Sequence, residues 1–214
     1  MSFTVAEVVT EVREQVLDAK LPYRYDDAFI VRKINQVLRR MAIKRPDLFV
    51  VFAPLTCAAG ILQSCPADSI RLMDVVNDSA GNALKEINQD TLDLTASAWA
   101  TGAQAVPVNW MRFARDPNRF YVYPPAAVST VLNIVYAASP ARLIAADVIP
   151  LPDAYEPAMI DGTLWLVESQ DAEHVESGRA KQFMDSFNDQ LTAGLMARAL
   201  TDADGAGLPE KKVT

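Results

Sequence analysis

Residues 115–125 of the chain read RDPNRFYVYPP, and this stretch predicts a tight turn followed directly by a β-strand. Asp116 suits the first corner of a type I turn, because its carboxylate can accept a backbone hydrogen bond, and Pro117 presets φ at the next corner. Residues 120–123 then alternate, so that Phe and Val face one side of the strand and the two Tyr face the other. The two prolines that follow are expected to end the strand. No side chain here belongs to a catalytic motif, so the stretch predicts a structural element.

Other short strand patterns lie on both sides of this turn. They are at residues 48–56, 61–64, 70–76, 108–114 and 131–136, with one more short strand that ends near Ile87. We expect the first two to form a hairpin and residues 108–114 to pair with 120–123 across the turn. Residues 88–99 fit a short helix in part, and 100–107 read as an ordered small-residue loop. Six or so short strands at this spacing are typical of a small sandwich or a barrel-like sheet.

Two amphipathic helix patterns precede the strands. Thr4 and Glu7 match a capping box at the start of the first helix. Asp26 is expected to cap the second helix, which Pro46 ends. The apolar stripe of the first helix comprises Val5, Val8, Val9, Val12, Val16 and Leu17.

Two more helix patterns follow the strands. Asp153, with Glu156 three residues later, is expected to cap the third helix. Asp171 is expected to cap the fourth, which should end in the Asp- and Gly-rich stretch that begins at Asp202.

The order of helices, strands and helices predicts an α+β fold. In it, the N- and C-terminal helices pack as a bundle with a central, mostly antiparallel β-sandwich or barrel-like sheet. We expect N-terminal helices over 1–47, a β domain over 48–150, a C-terminal helical hairpin over 151–200 that joins the N-terminal helices, and a C-terminal tail over 201–214.

The composition excludes several classes of protein. The chain has 214 residues and a net charge of −7, whereas a general nucleic-acid binder needs a cationic surface. No apolar run approaches the roughly 20 residues that span a bilayer, and the first residues do not read as a secretory signal. We therefore expect a protein made and kept in a cytoplasm. In the predicted hairpin, Cys57 and Cys65 lie too far apart along the ladder for a disulfide, so we expect two buried thiols.

The sequence contains no recognisable catalytic or metal-binding motif. His174 is the single histidine, and its acid-rich surroundings are typical of the first turn of a helix. The chain has too few nitrogen and sulfur ligands for a metal centre and no glycine-rich phosphate loop. We expect no enzyme activity and no cofactor. Paired carboxylates, namely Asp26 with Asp27, Asp90 with Asp93 and Asp185 with Asp189, leave a hydrolase as the alternative, since general acid–base chemistry needs two such groups that converge in a cleft.

Charge is distributed unevenly along the chain. Residues 1–50 contain nine basic and seven acidic side chains, whereas residues 153–214 contain five basic and twelve acidic ones. Solvated helix faces explain both clusters, but opposite charges could also meet between neighbouring copies in a ring. The candidate subunit contacts are Arg32, Lys33, Arg39, Arg40, Asp185 and Asp189. The basic second helix also leaves direct DNA binding open, and that alternative predicts a steep dependence on salt.

Several motifs together resemble a known family. They are YRYDDAF at 23–29, INQVLR at 34–39, RPD at 45–47, CPAD at 65–68, RLMDVV at 71–76, Asp116 with FYVYPP at 120–125, LPDAY at 151–155, DAE at 171–173 and Phe183. In order and spacing, these segments are similar to those of tailed-phage head-to-tail connector proteins, the adaptor or upper tail-tube ring beneath the portal.

The resemblance implies a structural protein of the virion neck or tail, assembled in the host cytoplasm. About twelve copies would form a ring between the portal ring and the next tail or nozzle component, and the genome would pass through it without specific binding. The resemblance also implies that the C-terminal segment grips the portal. The residues concerned are Leu208, Pro209, Lys211, Lys212 and Val213. A cytoplasmic protein-interaction module unrelated to virions is the alternative.

Overall fold

The computed structural model describes residues 3–170 and 177–205, with helices and two β-sheets in an α+β arrangement. The chain divides into two compact units, Met1–Lys44 with Ala141–Thr214, and Arg45–Pro140. We call the first the helical unit and the second the β unit, and describe each by itself.

Four α-helices make up the helical unit. They are α1 (Val5–Gln15), α2 (Asp27–Lys44), α4 (Glu156–Glu168) and α5 (Ser177–Gly205); α3 belongs to the β unit. The capping box at Thr4 and Glu7 is confirmed, since each side chain accepts a hydrogen bond from the other residue's backbone N–H. Asp26 accepts from the Phe29 N–H at the start of α2, as predicted. Each of these caps satisfies backbone donors that the first helical turn leaves unpaired.

Helix α4 contacts the other three helices of the unit. Its buried side chains therefore surround most of the helix, and they include Ala158, Met159, Thr163, Leu164, Leu166 and Val167. Gly162 lies where the approach is closest. A Cβ atom at this position would lie 2.8 Å from Val37 Cγ1 and 3.0 Å from Phe187 Cδ2, so only glycine fits between α2 and α5 without movement.

The ends of the later helices differ from the prediction. Residues Asp153–Tyr155 form a 3₁₀ turn, and no side chain caps α4, because Tyr155 occupies the N-cap position. Helix α5 runs on to Gly205, beyond the Asp202 at which the sequence predicts its end. Asp171, the predicted cap of the last helix, lies outside the described residues.

Helix α1 ends two residues earlier than its apolar stripe suggests. The Asp18 N–H donates to the Arg13 carbonyl and the Leu17 N–H to the Glu14 carbonyl, which is the Schellman pattern. Leu17 takes the left-handed position of this motif, with φ of 58°, and its side chain is 90% exposed. The prediction that Leu17 belongs to the buried stripe is therefore wrong, because the helix has already reversed at this residue.

Leu17→Gly should stabilise the chain by about 0.5–1 kcal/mol. Glycine removes the left-handed strain of a residue with a Cβ, about 1–2 kcal/mol, and part of this gain is lost because glycine also makes the unfolded chain more flexible. The exposed Leu17 side chain contributes little packing that could be lost. Urea unfolding measures the difference, with Leu17→Ala as the control that keeps the Cβ. Equal stabilities of the glycine and alanine variants would contradict the prediction.

Seven strands in two sheets form the core of the β unit. The strands are β1 (Val50–Thr56), β2 (Gly60–Ser64), β3 (Ser69–Asp78), β4 (Lys85–Glu86), β5 (Asn109–Arg112), β6 (Arg119–Ala126) and β7 (Val131–Ala138). One sheet has the order β1-β7-β3 and the other β2-β6-β5-β4, with all pairs antiparallel except β4 with β5. The sheets do not close into a barrel, so the barrel alternative is wrong.

Side chains from both sheets meet in one apolar core. They are Leu72, Val75, Leu132, Ile134 and Tyr136 from the first sheet, and Trp110, Phe120, Val122 and Ala126 from the second. The alternation predicted for residues 120–123 is confirmed, because Phe120 and Val122 are fully buried here while Tyr121 and Tyr123 pack on the opposite face. The pairing of β5 with β6 across the turn is confirmed as well.

The predicted hairpin between β1 and β2 is wrong, because the two strands belong to different sheets. Strand β1 pairs with β7 and β2 pairs with β6. The connection between them crosses from one sheet to the other and is held by Gln63, whose side chain bonds both the N–H and the carbonyl of Ala58. Both cysteines are nevertheless free thiols. Burial raises the pKa of Cys57 to about 11 and also raises the pKa of the half-buried Cys65.

Strand β6 also continues through the two prolines that were expected to end it. It runs to Ala126, which pairs with Gly60 of β2. Proline lacks only the N–H donor, so its carbonyl can still take part in a sheet, and Pro125 accepts a hydrogen bond from the Ala105 N–H at 2.9 Å. Ala105 lies in the loop at 100–107, which this contact fixes against β6.

The segment between β4 and β5 covers the outer face of the second sheet. It contains α3 (Gln89–Thr95) and a 3₁₀ turn at Trp99–Thr101. Trp99 is buried against Tyr121 with an edge-on ring contact, and its Nε1 donates to Asp93 at 2.7 Å. This covering explains why both faces of β6 carry aromatic side chains.

Strand β1 lies at the edge of its sheet. Its hydrogen bonds to β7 begin at the Phe49 carbonyl and end at the Cys57 N–H, so odd-numbered residues bond to β7 and even-numbered residues direct their backbone groups away from it. Pro54 occupies one of these outward positions. The one residue of β1 without an N–H therefore stands at the free side of the strand.

Candidate interaction surfaces

The six predicted subunit contacts all lie on α2 and α5 of the helical unit. Arg32, Arg39 and Arg40 are exposed on α2, whereas Lys33 is buried. Asp185 and Asp189 are exposed one turn apart on α5. None of the six forms an ion pair with another described residue. The structure therefore does not bring the basic and acidic groups together within one copy.

Aromatic rings hold three of the four cations in place. The Arg40 guanidinium lies 4.4 Å from the centre of the Trp165 ring of α4. Arg32 and Lys33 lie over the Phe29 ring, at 5.8 and 4.9 Å. A cation over a ring face is attracted by the ring's quadrupole, so these contacts orient the charges without neutralising them.

Lys33 is the most unusual of these groups, because it is a lysine with only 5% of its surface exposed. Burial lowers its pKa, and the neighbouring positive charges of Arg32 and Arg40 lower it further. Among the described residues no carboxylate lies within ion-pair distance of its Nζ. A buried cation of this kind is unfavourable until an anion approaches it.

The acidic residues Asp185 and Asp189 lie on the outward side of α5, away from its packed residues. Ser186 and Gln190 turn towards α4 and both donate to the Asp161 carboxylate at 2.7 Å. Phe187 is fully buried. Asp185 and Asp189 lie on the remaining, outward side, next to the Lys44–Asn188 contact that joins α5 to α2. They are thus free to meet a second molecule.

A separate group of charges joins α1 to α2. The buried Arg13 donates to the Asp18 carboxylate at 3.0 Å, to Asp27 and to the Tyr25 carbonyl, and it lies 3.8 Å from the Tyr23 ring centre. Asp18 also accepts the backbone N–H groups of Arg24 and Tyr25, at 2.7 and 3.0 Å. These bonds fix the loop between the helices, which gives the cluster a structural role.

Three of the six paired carboxylates that left a hydrolase open have structural partners. Asp26 caps α2, Asp27 binds Arg13 and Asp93 binds Trp99. Within residues 3–170 and 177–205, no group of three or more histidine, cysteine, aspartate or glutamate side chains is arranged to hold a metal ion. His174 lies outside these residues.

The sequence analysis missed a group of arginines in the β unit. Arg71, Arg112 and Arg119 line one surface pocket of about 330 Å³. They come from β3, β5 and β6, and more than forty residues separate the first from the last. Only Arg119 stands in the stretch that predicted the fold, and no local pattern connects it to the other two.

The proposed portal contacts at residues 208–213 lie outside the described part of the chain. No helix in the described part is long and apolar enough to cross a membrane.

Comparison with known proteins agrees with the resemblance in the sequence at the level of a phage adaptor. A search of curated proteins finds no match. The family model described as "SU10 adaptor protein" matches residues 3–208, which is nearly the whole chain and includes both units. The chain therefore belongs to the SU10 adaptor protein family, a family of phage adaptor proteins.

Proposed function

We propose that this protein is a head-to-tail adaptor of the phage neck that forms a ring beneath the portal, through which the genome passes. About twelve copies would close the ring by head-to-tail contacts, as a heterologous interface does when its rotation closes. The portal ring, the next tail or nozzle component and neighbouring copies would be its partners. Family membership supports an adaptor role, and the net charge of −7 is consistent with a channel that does not retain DNA.

One observation carries the ring contact: α2 and α5 present opposite charges that form no ion pair with another described residue of the same copy. Arg39 is exposed without a partner among the described residues, and so are Asp185 and Asp189. In this proposal the basic side of α2 meets the acidic side of α5 in the next copy. The buried Lys33 would then gain the carboxylate that it lacks among the described residues of its own copy.

Charge reversal on the two helices tests this contact. Arg39→Glu should reduce the number of copies bound per portal ring, and Asp185→Lys with Asp189→Lys should do the same, because each change places like charges opposite one another. The chain that carries all three changes should recover part of the assembly, since position 39 again faces opposite charges while Arg32, Lys33 and Arg40 still face the introduced lysines. Mass photometry of purified portal rings mixed with each variant counts the copies.

Two controls separate the possible outcomes. Lys85→Glu makes the same charge change on the exposed surface of the β unit and should assemble like the unchanged chain. Deletion of residues 208–214 should abolish binding to the portal, because the proposed portal contacts lie in this segment. Assembly of Arg39→Glu at the unchanged copy number would contradict the subunit contact. If the unchanged chain does not bind portal rings at all, the adaptor-ring proposal is contradicted and the interaction-module alternative remains.

A further inference from the structure

The pocket lined by Arg71, Arg112 and Arg119 has a rigid floor. The Leu72 N–H donates to the Pro117 carbonyl at 3.0 Å, and the Cys65 N–H donates to the Asn118 carbonyl at 2.9 Å. These bonds join the beginning of β3 to the turn between β5 and β6.

The turn itself is held from within. The Asp116 carboxylate accepts the Asn118 N–H at 2.9 Å, and the Asn118 side chain accepts a hydrogen bond from Ser69 at 3.1 Å. A ligand would therefore meet a site whose backbone is already fixed, so binding would lose little conformational entropy.

The three arginines differ in how many hydrogen-bond and ion-pair partners their guanidinium groups have. Arg112 donates to Glu86 at 2.7 Å and to the Met73 carbonyl at 2.8 Å, which fixes its guanidinium. Among the described residues Arg119 has one long ion-pair contact, 3.4 Å from Nε to the Asp116 carboxylate, and its side chain is 49% exposed. Arg71 is exposed and has no hydrogen-bond or ion-pair partner among the described residues. Two guanidinium groups at the rim thus keep unused N–H donors.

The lining indicates which anion fits. Phe113 and Pro117 give the pocket an apolar part, while the guanidinium groups of the three arginines supply its positive charge. A carboxylate on a short apolar stem, as in glutamate or aspartate, satisfies both features. Duplex DNA instead needs a row of cations along several phosphates, whereas this pocket is small and lies in a chain of net charge −7.

We propose that this pocket binds an acidic segment of another polypeptide, with a carboxylate between the Arg71 and Arg119 side chains. The site lies wholly within the β unit and involves none of the residues assigned to the ring contact. It therefore gives the protein a second interaction surface, and its test is independent of portal binding.

A binding experiment with the full chain tests the proposal. The probe is a fluorescein-labelled decapeptide of alternating glutamate and leucine, followed by fluorescence anisotropy at low salt. The same peptide with glutamine in place of glutamate and a labelled DNA duplex serve as comparison ligands. We expect saturable binding of the acidic peptide and at least about tenfold weaker binding by the Arg71→Gln, Arg119→Gln double variant.

The variant control is Arg142→Gln, which removes an exposed arginine of the helical unit that has no partner among the described residues. It should bind the acidic peptide like the unchanged chain. Both altered side chains of the double variant are exposed, so its thermal midpoint should match that of the unchanged chain and exclude unfolding as the cause. Absence of saturable binding, equal binding of the glutamine peptide, an equal loss in Arg142→Gln, or tighter binding of DNA would each overturn the proposal.

Discussion

Gly162→Val is expected to destabilise the chain by about 3 kcal/mol or more, the largest effect that we predict for a single added side chain. A Cβ at this position already lies within 3.0 Å of atoms from two other helices, Val37 of α2 and Phe187 of α5. Both neighbours are fully buried, so neither can move into solvent to relieve the overlap. The helices must separate, and the packing on both sides of α4 is lost together.

The same substitution at Gly178 is the matched control. Gly178 lies in the first turn of α5, is exposed, and has no atom within 4 Å of the position that a Cβ would take. Gly178→Val should change the stability by no more than about 0.5 kcal/mol, because only helix propensity is altered. Urea unfolding of both variants provides the comparison, and similar midpoints for the two would refute the close-approach argument.

Removal of the Asp18 carboxylate should be at least as damaging. Asp18→Ala leaves the buried Arg13 without its buried partner and leaves the backbone N–H groups of Arg24 and Tyr25 unpaired. Loss of one partner from a buried ion pair typically costs about 3–5 kcal/mol. Asp27 also binds Arg13, but its side chain is 65% exposed, so Asp27→Ala should cost about 1 kcal/mol or less.

The pH dependence provides a second measure of the same carboxylate. Burial raises the pKa of Asp18, but the hydrogen bonds from Arg24 and Tyr25 and the charge of Arg13 outweigh burial, so the net pKa is lowered. A lowered carboxyl pKa stabilises the folded state at neutral pH, and this stabilisation is lost as the pH falls below about 4. The stability difference between the unchanged chain and Asp18→Ala should therefore shrink on acidification. A difference that stays constant from neutral pH to pH of about 2 would show that Asp18 does not act through its charge.

Local features of the fold could be predicted from the sequence because neighbouring residues determine them. The cap at Thr4 and the pairing of β5 with β6 depend on side chains within a few positions of each other. Strand partners that are distant in the chain could not be predicted. Strand β1 pairs with β7, about eighty residues later, and no turn signal between β1 and β2 distinguishes that arrangement from a hairpin.

The interaction surfaces also combine features that the sequence predicts with features that depend on contacts between distant residues. The charges of α2 and α5 could be identified by counting along the chain, whereas the burial of Lys33 depends on how the helices pack. Arg71 and Arg112 meet Arg119 only because two sheets bring three strands to one end of the β unit. Gly162 likewise has no sequence signal, since a glycine inside a helix pattern reads as a weak position until its neighbours are known.

Pro54 has a consequence for how this protein behaves while it accumulates in a cell. An unpaired strand edge is a template on which a strand from another molecule can add, and repeated addition produces insoluble fibrils. The outward positions of β1 include the exposed apolar residues Val50 and Phe52, which would favour such growth. Because Pro54 offers no donor on that side, it interrupts the row of hydrogen bonds that an added strand would need. Pro54 thus opposes open-ended strand addition at the free edge of β1. Association is then left to interfaces that bind a fixed number of partners.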